Sequence, residues 1–459
     1  MDYENYFDID TCDNTPIAIY QKLKPLDLCF LLESVEGGEK EARYSFIGIQ
    51  ASSILEIKNG EASIDKNPIA YPNSQYEWKS LLRQFLNDAP DLTPSIPNQP
   101  FNGGFIGATG YECAYEFDTI RVSDAHRDRA RAIYIAPSAM LIFDHHLGKL
   151  ALLDSQSSSH RNELKTKITR LITNEKFQSQ SSSFLSSENA SLADNDFLSA
   201  VEQAKKSIYN GDAFQIVLSI NFTGTSEIDP ISCYEKLRSL NPSPYHYLFE
   251  HKELCIVGSS PEALVKLEER EASLKPIAGT RPRGKTTEED RSLEEILIND
   301  PKERAEHIML IDLARNDLGR VAAEGSIAID PFMTIERYSH VMHIVSGVKG
   351  TLSEKYDAFD LFMSAFPAGT LVGAPKIKAM EIISDLEPCK RDFYGGTIGY
   401  FSKNGNMDQA ITIRTVIFEN GSYSFQAGAG IVADSNPRGE LKEIMAKSDI
   451  LRRTLNSMI

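Results

Sequence analysis

The sequence has few cysteines and no long apolar run. Its six cysteines are scattered over 459 residues without a CxxC pair, so we expect neither a disulfide framework nor a structural zinc site. No run of about 18 consecutive apolar residues occurs, and a membrane-spanning helix is therefore not expected. Residues 1–5 are acidic where a targeting peptide would be basic. We expect a cytoplasmic protein with reduced thiols.

The chain also has fewer basic than acidic residues. The chain has 48 Lys and Arg residues against 65 Asp and Glu residues, a formal net charge of −17. Such a surface does not favour nucleic acid or an anionic membrane as the main partner. It leaves room for an anionic small molecule, because a local site can be positive on an acidic protein. The 41% hydrophobic and 25% charged residues describe an ordinary globular chain.

The chain divides into three parts. Residues 1–154 alternate β-rich patches with turns, the strongest at 42–49, 53–57 and 132–143. Residues 155–194 are polar and serine-rich around a helix-like stretch at 162–175, as expected of a linker or surface excursion. Residues 195–459 mix helices with strands. We expect an α+β fold with helices outside antiparallel sheets, in which strands of the first and third parts can intermix.

Periodicity predicts the main elements of the third part. A helix capped by Asp194 or Asn195 and ended by Gly211 precedes a strand over 214–220. Further helices are predicted over 288–315, 356–365, 374–385 and 438–456, and strands near 254–258, 395–402, 408–418 and 423–428.

Two acidic pairs have helical spacing. Glu303 and Glu306 are three residues apart, as are Glu440 and Glu443, with Lys447 one turn later. This spacing places each pair on one helix face, so two helices could offer carboxylates to one cation. A solvated helix face is the commoner explanation of the spacing alone.

Two glycine-rich segments, at 276–284 and 426–432, follow strand-like runs. Glycines let backbone N–H groups approach an anion, and Arg281 and Arg283 could add positive charge. A tight turn explains either segment equally simply. Neither matches a dinucleotide-binding or phosphate-binding loop motif.

Single polar residues interrupt three apolar runs: Gln215, His343 and Arg414. A buried arginine needs an acidic partner or an anionic ligand, because an unpaired buried charge is very costly. His343 alone is more often a satisfied core histidine than a catalyst.

Together these segments resemble the chorismate-utilising enzymes, most closely the large subunits of the anthranilate synthases. The resemblance is dense from about residue 195 to 455 and thinner before it. The matching runs lie at 31–34, 259–262, 276–284, 300–307, 312–318, 343–346, 366–370, 373–376, 394–396 and 426–443. It implies large antiparallel sheets packed as a sandwich with helices outside.

The resemblance also implies a lyase activity. Ammonia would add at C2 of chorismate with loss of the C4 hydroxyl, and pyruvate would then be eliminated to give anthranilate, the first step of tryptophan biosynthesis. Glu262 would be the general acid, and His343 would assist the elimination. Mg²⁺ would bind Glu306 and Glu443, with Glu303 and Glu440 close by, and would hold the ring carboxylate of chorismate.

The remaining site residues follow from the same resemblance. Arg414 would pair with the enolpyruvyl carboxylate, since a guanidinium binds a carboxylate through two hydrogen bonds. The residues expected to contact substrate are Gly279, Thr280, Thr370, Tyr394, Arg414, Gly428, Ala429, Gly430 and Lys447.

Two positions discriminate between members of the family. Water-adding members carry a lysine base where this chain has Gln215, and ammonia needs no such base. Aminodeoxychorismate synthases often carry a lysine where this chain has Ala278. Both positions favour anthranilate as the product, with aminodeoxychorismate synthase as the alternative. A ligand-binding pseudoenzyme or regulatory partner is a second alternative, and the presence of Glu262, His343 and all four glutamates argues against it.

Two further expectations concern partners. None of the six cysteines lies in a nucleophile-elbow context, so ammonia from glutamine would come from a separate amidotransferase subunit. Segments 31–34 and 241–245 resemble the tryptophan feedback site, with a strand end and a proline turn as the plain alternative. The residues expected to bind L-tryptophan as an inhibitor are Glu33, Ser34, Pro242, Ser243 and Pro244.

Overall fold

The structure is a computed structural model that describes residues 3–34, 43–118, 120–121, 130–173, 184–337 and 341–458. Its helices are α1 (Pro16–Leu23), α2 (Gln75–Asp88), α3 (Ala114–Phe117), α4 (Ser158–Thr173), α5 (Asp194–Tyr209), α6 (Pro230–Leu240), α7 (Thr287–Asn299), α8 (Pro301–Gly319), α9 (Ala358–Ala365), α10 (Lys376–Leu386) and α11 (Pro437–Asn456). Short 3₁₀ helices lie at Tyr3–Tyr6, Lys24–Leu26, Tyr111–Cys113 and Gly369–Leu371.

The strands complete the element list. They are β1 (Ile9–Asp10), β2 (Leu28–Glu33), β3 (Tyr44–Lys58), β4 (Glu61–Ile64), β5 (Asn67–Ile69), β6 (Gly104–Thr109), β7 (Arg131–Asp144), β8 (Lys149–Asp154), β9 (Asn189–Ala190), β10 (Gln215–Thr225), β11 (Tyr245–His251), β12 (Leu254–Ser260), β13 (Ala263–Glu268), β14 (Glu271–Leu274), β15 (Ile277–Pro282), β16 (Ala328–Ile329), β17 (Thr334–Arg337), β18 (Val341–Val345), β19 (Val348–Thr351), β20 (Gly373–Ala374), β21 (Thr397–Ser402), β22 (Met407–Ile411), β23 (Thr415–Glu419) and β24 (Ser422–Ile431).

One continuous antiparallel sheet system organises the molecule. Its main run of pairings is β10–β24–β23–β12–β11–β2–β3–β7–β6–β21–β22–β13–β14–β19–β16. The sheet curls so that both ends of this run contribute to one apolar core, which includes Leu31, Ile47, Leu218, Val265 and Phe425. Helices α5 and α11 pack against β10 and β24 at one end of this run, and α6 packs against β11 and β12. The predicted α+β class is confirmed.

The early and late parts of the chain share this sheet. Strand β2 pairs with β11, and β6 pairs with β21. The division into residues 1–154, 155–194 and 195–459 stays a prediction. Between the larger parts lie α4 and β9, whereas residues 174–183, which include the end of the predicted 162–175 helix, lie outside the described residues, as does residue 42 of the first predicted patch.

A small second sheet of β15, β18 and β17 lies beside helix α7. Strand β18 pairs with both neighbours, and the β15–β18 ladder shifts register between Ala278 and Arg281. The irregularity falls at Gly279 and Thr280, whose backbone therefore leaves the regular ladder.

Two predicted elements are each divided in two. The helix expected over 288–315 breaks between α7 and α8, because Asp300 ends the first helix and caps the second, with Pro301 at its first position. The strand expected over 408–418 is β22 and β23, separated near Arg414, which has a left-handed φ of 49°.

The predicted cap of α5 was wrong. Its N-cap is Ala193, without a side-chain hydrogen bond, and Asp194 lies in the first turn. A carboxylate there still interacts favourably with the positive end of the helix.

None of the helices in the described ranges is both long and apolar enough to cross a lipid bilayer. All six cysteines are free, and four of them are buried.

Candidate active site

The predicted site residues come from elements that meet beside the β10–β24 ladder. Strand β10 supplies Gln215, β24 supplies Gly428 and Gly430, and α8 and α11 supply the four glutamates. The small sheet supplies Gly279, Thr280 and His343. Glu262 and Arg414 lie on connections between strands, and Thr370 lies in the 3₁₀ helix Gly369–Leu371.

Gln215 begins strand β10 and is buried. Its side-chain amide donates to Glu306 Oε1 at 3.2 Å, which links the strand to helix α8. A Cβ at Gly430 would lie 2.7 Å from Gln215 Nε2. A larger residue at this point of β24 would therefore displace the amide from its present position.

The acidic pairs of α8 and α11 face each other. Burial raises the pKa of Glu306, and the negative charges of Glu303 and Glu443 raise it further. Burial likewise raises the pKa of Glu440, with a further contribution from Glu443. Within the described residues, no three His, Cys, Asp or Glu side chains are arranged closely enough to hold a metal ion. The carboxylates are thus near neighbours without a preassembled ligand shell.

Basic side chains partly neutralise this acidic group. Lys447 contacts Glu443 at 2.7 Å and donates to the Gly428 carbonyl oxygen at 3.0 Å. Arg281 contacts Glu303 at 3.1 Å and Asp300 at 3.2 Å. Arg281 therefore binds carboxylates of α8.

Arg283, the second charge expected in that glycine-rich segment, donates to Asp290 at 2.7 Å. Both arginines thus organise the protein's own acidic helices in this structure.

Glu262 follows the end of β12, and its carboxyl has a raised pKa. Burial raises the pKa of its carboxyl to about 7, although a hydrogen bond from Thr370 and the charges of Lys447 and Arg414 oppose the rise. The Thr370 hydroxyl donates to Glu262 Oε1 at 2.9 Å. A substantial fraction of Glu262 is therefore protonated near neutral pH, as a general acid requires.

His343 lies on β18 with Nδ1 2.8 Å from the Gly279 carbonyl oxygen. Because a carbonyl only accepts, the neutral ring carries its proton on Nδ1 and its lone pair on Nε2. Burial lowers the pKa of His343, and Arg414 lowers it further. The Thr280 hydroxyl lies 3.2 Å from the same Nδ1.

Arg414 is a cation without an ion pair among the described residues. Its Nη1 donates to Asn241 Oδ1 at 3.1 Å, and burial lowers its pKa. A guanidinium held by a neutral amide still has donors for an anionic ligand. Asn241 also donates to Ser259 Oγ at 2.8 Å. The sequence did not predict that Asn241 would bind Arg414.

Tyr394 and the glycine strand shape the wall of the site. A Cβ at Gly428 would lie 2.6 Å from Tyr394 Oη, so glycine permits their close approach. Ala429 is fully buried in the main core. Side chains alternate along a strand, so Ala429 could contact a ligand only through its backbone.

Behind Tyr394 lies a second feature that the sequence analysis missed. The Arg391 guanidinium lies over the Tyr111 ring at 4.7 Å and the Tyr394 ring at 5.7 Å. Its carboxylate partner, Glu387, is four residues earlier. An i, i+4 charge pair was visible in the sequence, but nothing in the sequence indicated its burial.

The two segments expected to bind tryptophan are neighbours. Strands β2 and β11 place Glu33 opposite His246, which brings the side chains to one sheet face. Tyr234 and Arg238 of α6 donate to Glu33 Oε2 at 2.6 and 2.7 Å, and burial raises the pKa of Glu33. In the described part of the chain, Glu33 Oε1 and His246 Nδ1 are buried without a hydrogen-bond partner.

Comparison with known proteins gives the context of this geometry. Residues 28–453 match the family model of chorismate binding enzymes. The chain belongs to this family. The chain is 39% identical to anthranilate synthase component 1 of Acetivibrio thermocellus, over 98% of this chain and 94% of that protein.

Solved structures agree with the assignment. Anthranilate synthase component I of Streptococcus pneumoniae superposes with a TM-score of 0.78 and 31% identity, covering 97% of this chain and 99% of that chain. The menaquinone-specific isochorismate synthase of Escherichia coli superposes with a TM-score of 0.72 at 18% identity, covering 96% and 92%, and shares the fold. The fold expected from the family resemblance is confirmed.

The raised pKa of Glu262 predicts a pH-dependent stability difference. The folded chain binds this proton up to about pH 7, whereas an unfolded glutamate releases it near its usual pKa of about 4.3. The Glu262 contribution to stability therefore decreases as pH rises between these values. Gln at position 262 cannot ionise. We therefore expect the melting temperature of Glu262→Gln minus that of the unmodified chain to be larger near pH 8 than near pH 5. Calorimetric or fluorescence melting curves measure this.

Glu163→Gln provides the matched control, because Glu163 is exposed on α4. Its melting temperature should differ from that of the unmodified chain by the same amount at both pH values. An equal difference at both values for Glu262→Gln would contradict the raised pKa.

Proposed function

We propose that this chain is the chorismate-binding subunit of an anthranilate synthase. It would convert chorismate and ammonia into anthranilate and pyruvate, as a lyase of tryptophan biosynthesis. The observation that supports this activity most directly is the neutral amide of Gln215 against Glu306. Water must lose a proton to attack, whereas ammonia already has a nucleophilic lone pair. The names of the curated relatives agree with this choice.

Chorismate carries two carboxylates, and the site offers cations for both. The Arg414 guanidinium, lacking an ion pair in the described residues, would bind the enolpyruvyl carboxylate. Gly279, Thr280, Tyr394 and the backbone of residues 428–430 would surround the rest of the substrate. Lys447, which already contacts Gly428, would add positive charge.

The chemistry of the four glutamates suits a hard divalent cation, although their side chains would have to move closer together to hold it. Glu306 and Glu443, with Glu303 and Glu440 close by, offer only oxygen ligands, which suit Mg²⁺. Burial and, to a lesser extent, the charges of Glu303 and Glu443 raise the pKa of Glu306, and a bound cation would relieve this charge repulsion. When bound, Mg²⁺ would neutralise the ring carboxylate and allow a dianionic substrate to approach an acidic site.

The chain's own residues would perform the proton transfers. The protonated Glu262 carboxyl would give its proton to the C4 hydroxyl oxygen. The C4–O bond would then break as the ammonia lone pair forms the C2–N bond. His343 Nε2, the lone-pair nitrogen, would accept the C2 proton or orient the departing enolpyruvyl group during elimination. A neutral imidazole suits this role, and burial, which lowers the pKa of His343, favours that form.

A second subunit would supply the ammonia. The curated relatives are named component 1, and we propose a glutamine amidotransferase as the partner. The six free cysteines fit a reducing compartment, and we place the protein in the cytoplasm.

Aminodeoxychorismate synthase remains the alternative activity. Ala278 is buried on β15 and has no amine to form an adduct with the ring, which favours amination at C2.

Product identity tests the function. With chorismate, Mg²⁺ and ammonium, the isolated chain should release equal amounts of anthranilate and pyruvate, detected by fluorescence and mass spectrometry. Without ammonium it should form no isochorismate or salicylate.

Glu262→Gln should lower kcat by about 10²- to 10⁴-fold through loss of the general acid, and Glu163→Gln should not. Aminodeoxychorismate as the product would favour the alternative, and no turnover would favour a pseudoenzyme. Turnover of glutamine by the chain alone would exclude the separate-subunit proposal.

The metal assignment has its own test. Glu306→Gln and Glu443→Gln should each weaken Mg²⁺ binding more than about tenfold, because an amide lacks the carboxylate charge. Isothermal titration calorimetry measures this independently of turnover, with Glu163→Gln as the control. EDTA should abolish activity reversibly. Full activity after exhaustive chelation would rule out the Mg²⁺ assignment.

We also propose that L-tryptophan inhibits the enzyme at the Glu33–His246 pair. Glu33 Oε1 can accept a hydrogen bond from the ammonium group of tryptophan. His246 Nδ1 can donate to the tryptophan carboxylate once the neighbouring backbone moves to admit the ligand. Ser34, Pro242, Ser243 and Pro244 border this pair in sequence. Residues 1–154 would thus form the regulatory part, and β2 contributes Glu33 from that part.

A chain of contacts connects this region with substrate binding. Helix α6, whose Tyr234 and Arg238 hold Glu33, ends at Asn241, which binds Arg414. A ligand that shifts α6 would therefore shift the guanidinium. Such coupling requires that tryptophan bind with different affinity to the chain before and after the shift of α6.

Inhibition by tryptophan is testable at Ser34. Ser34→Phe should occupy the space next to the Glu33–His246 pair and remove inhibition by millimolar tryptophan. It should leave kcat and the chorismate KM within about twofold, because Ser34 is none of the residues proposed to bind substrate or transfer protons. Calorimetry should detect binding to the unmodified chain only. Inhibition that persists in Ser34→Phe would remove this site from consideration.

A further inference from the structure

Thr370 occupies a constrained position beside the general acid. It lies in the 3₁₀ turn Gly369–Leu371, where backbone hydrogen bonds join Leu371 to Ala368 at 3.0 Å and Val372 to Gly369 at 3.1 Å. A Cβ at Gly369 would lie 2.9 Å from Leu313 Cδ1 of α8. The turn therefore packs directly on this helix, and Thr370 has little freedom to move.

The Thr370 hydroxyl is committed to Glu262. It donates to Glu262 Oε1 at 2.9 Å and is the one side-chain hydrogen-bond partner of this carboxyl among the described residues. A hydroxyl has a single proton to donate. In this structure, the proton of Thr370 is thus directed at Glu262, although the family resemblance led us to expect a substrate contact.

The other neighbours of Glu262 do not fix its orientation. A cavity of about 40 Å³ lies against Glu262 and Thr370 and is lined largely by apolar side chains, including Leu310, Leu313 and Leu274. Lys275 and Asp317 are the other charged groups on its wall. Lys447 and Arg414 act on the carboxyl through their charges. No hydrogen bond from either of them to Glu262 occurs in the described residues.

We propose that Thr370 is a positioning residue that keeps the Glu262 proton on Oε2 and aims it at the leaving hydroxyl. This inference rests on the proposed function. Because Oε1 accepts from Thr370, the carboxyl proton resides on the other oxygen. In the reaction that proton passes to the C4 hydroxyl oxygen, the C4–O bond breaks with its electron pair on oxygen, and water leaves. Glu262 becomes a carboxylate, and Thr370 stabilises its new charge on Oε1.

Two substitutions separate this role from substrate binding. Thr370→Val keeps the shape and removes the donor, whereas Thr370→Ser keeps the donor. With free ammonia held constant, Thr370→Val should lower kcat roughly ten- to hundredfold with the chorismate KM within about twofold. Thr370→Ser should restore most of kcat.

The pH profile gives the readout specific to positioning. A donated hydrogen bond stabilises the carboxylate and lowers its pKa. The basic limb of kcat/KM, where Glu262 loses its proton, should therefore move to higher pH in Thr370→Val and return in Thr370→Ser. A raised KM with an unmoved limb would make Thr370 a substrate ligand and overturn the proposal. A limb moved to lower pH would mean that Glu262 donates to Thr370, which also overturns it.

Controls keep the two proposals distinguishable. If Thr370→Val does not fold, Thr370→Ala removes the same donor and carries the same expectations. If the unmodified chain forms no anthranilate, the proposed function fails. The pH dependence of the melting temperature still reports the titration of Glu262. Removal of the Thr370 donor must then move that dependence to higher pH, and an unchanged dependence would contradict the proposal.

Discussion

The buried guanidinium of Arg391 is the interaction that connects the parts of this molecule. It donates to Glu387, to the Leu371 carbonyl and to the Val217 carbonyl at 2.7–2.8 Å, while its backbone N–H donates to Glu112 at 2.7 Å. A buried cation must be paired and fully hydrogen-bonded to be tolerated. These partners belong to β10, to the turn that contains Thr370 and to the early part of the chain. Their positions are therefore fixed relative to one another, and with them one wall of the site.

The site itself is a balance of opposite charges at short range. Burial, together with the charges of neighbouring glutamates, raises the pKa of Glu306 on α8 and of Glu440 on α11, and nearby cations offset only part of this acidic charge. Arg414 carries a positive charge without an ion pair in the described residues, and this charge acts on the carboxyl of Glu262. A dianionic substrate could place one carboxylate at Arg414 and the other at a cation held by the acidic group. In the folded chain, nearby cations neutralise only part of the acidic group, and Arg414 has no anionic partner among the described residues.

Strand pairing explains why the proposed regulatory and catalytic regions can influence each other. The pairing of β2 with β11 brings Glu33 to His246 across more than two hundred residues of sequence. Helix α6 then joins this pair to Asn241 and the Arg414 guanidinium through direct hydrogen bonds. Arg238 lies in the last turn of this helix and Asn241 follows it directly, so a displacement of that turn reaches both contacts and offers a physical route for coupling.

The sequence by itself determined the family, the α+β class and the candidate residues, because motifs and periodicity are local properties. It placed the acidic pairs on helices and the polar residues Gln215 and His343 in strands. It did not reveal the break at Asp300, the left-handed Arg414 or the burial of Arg391, which depend on packing partners distant in sequence. The pKa of Glu262 and the direction of the Thr370 hydroxyl were also decided only by tertiary structure, since desolvation and hydrogen-bond geometry exist only after the strands and helices meet.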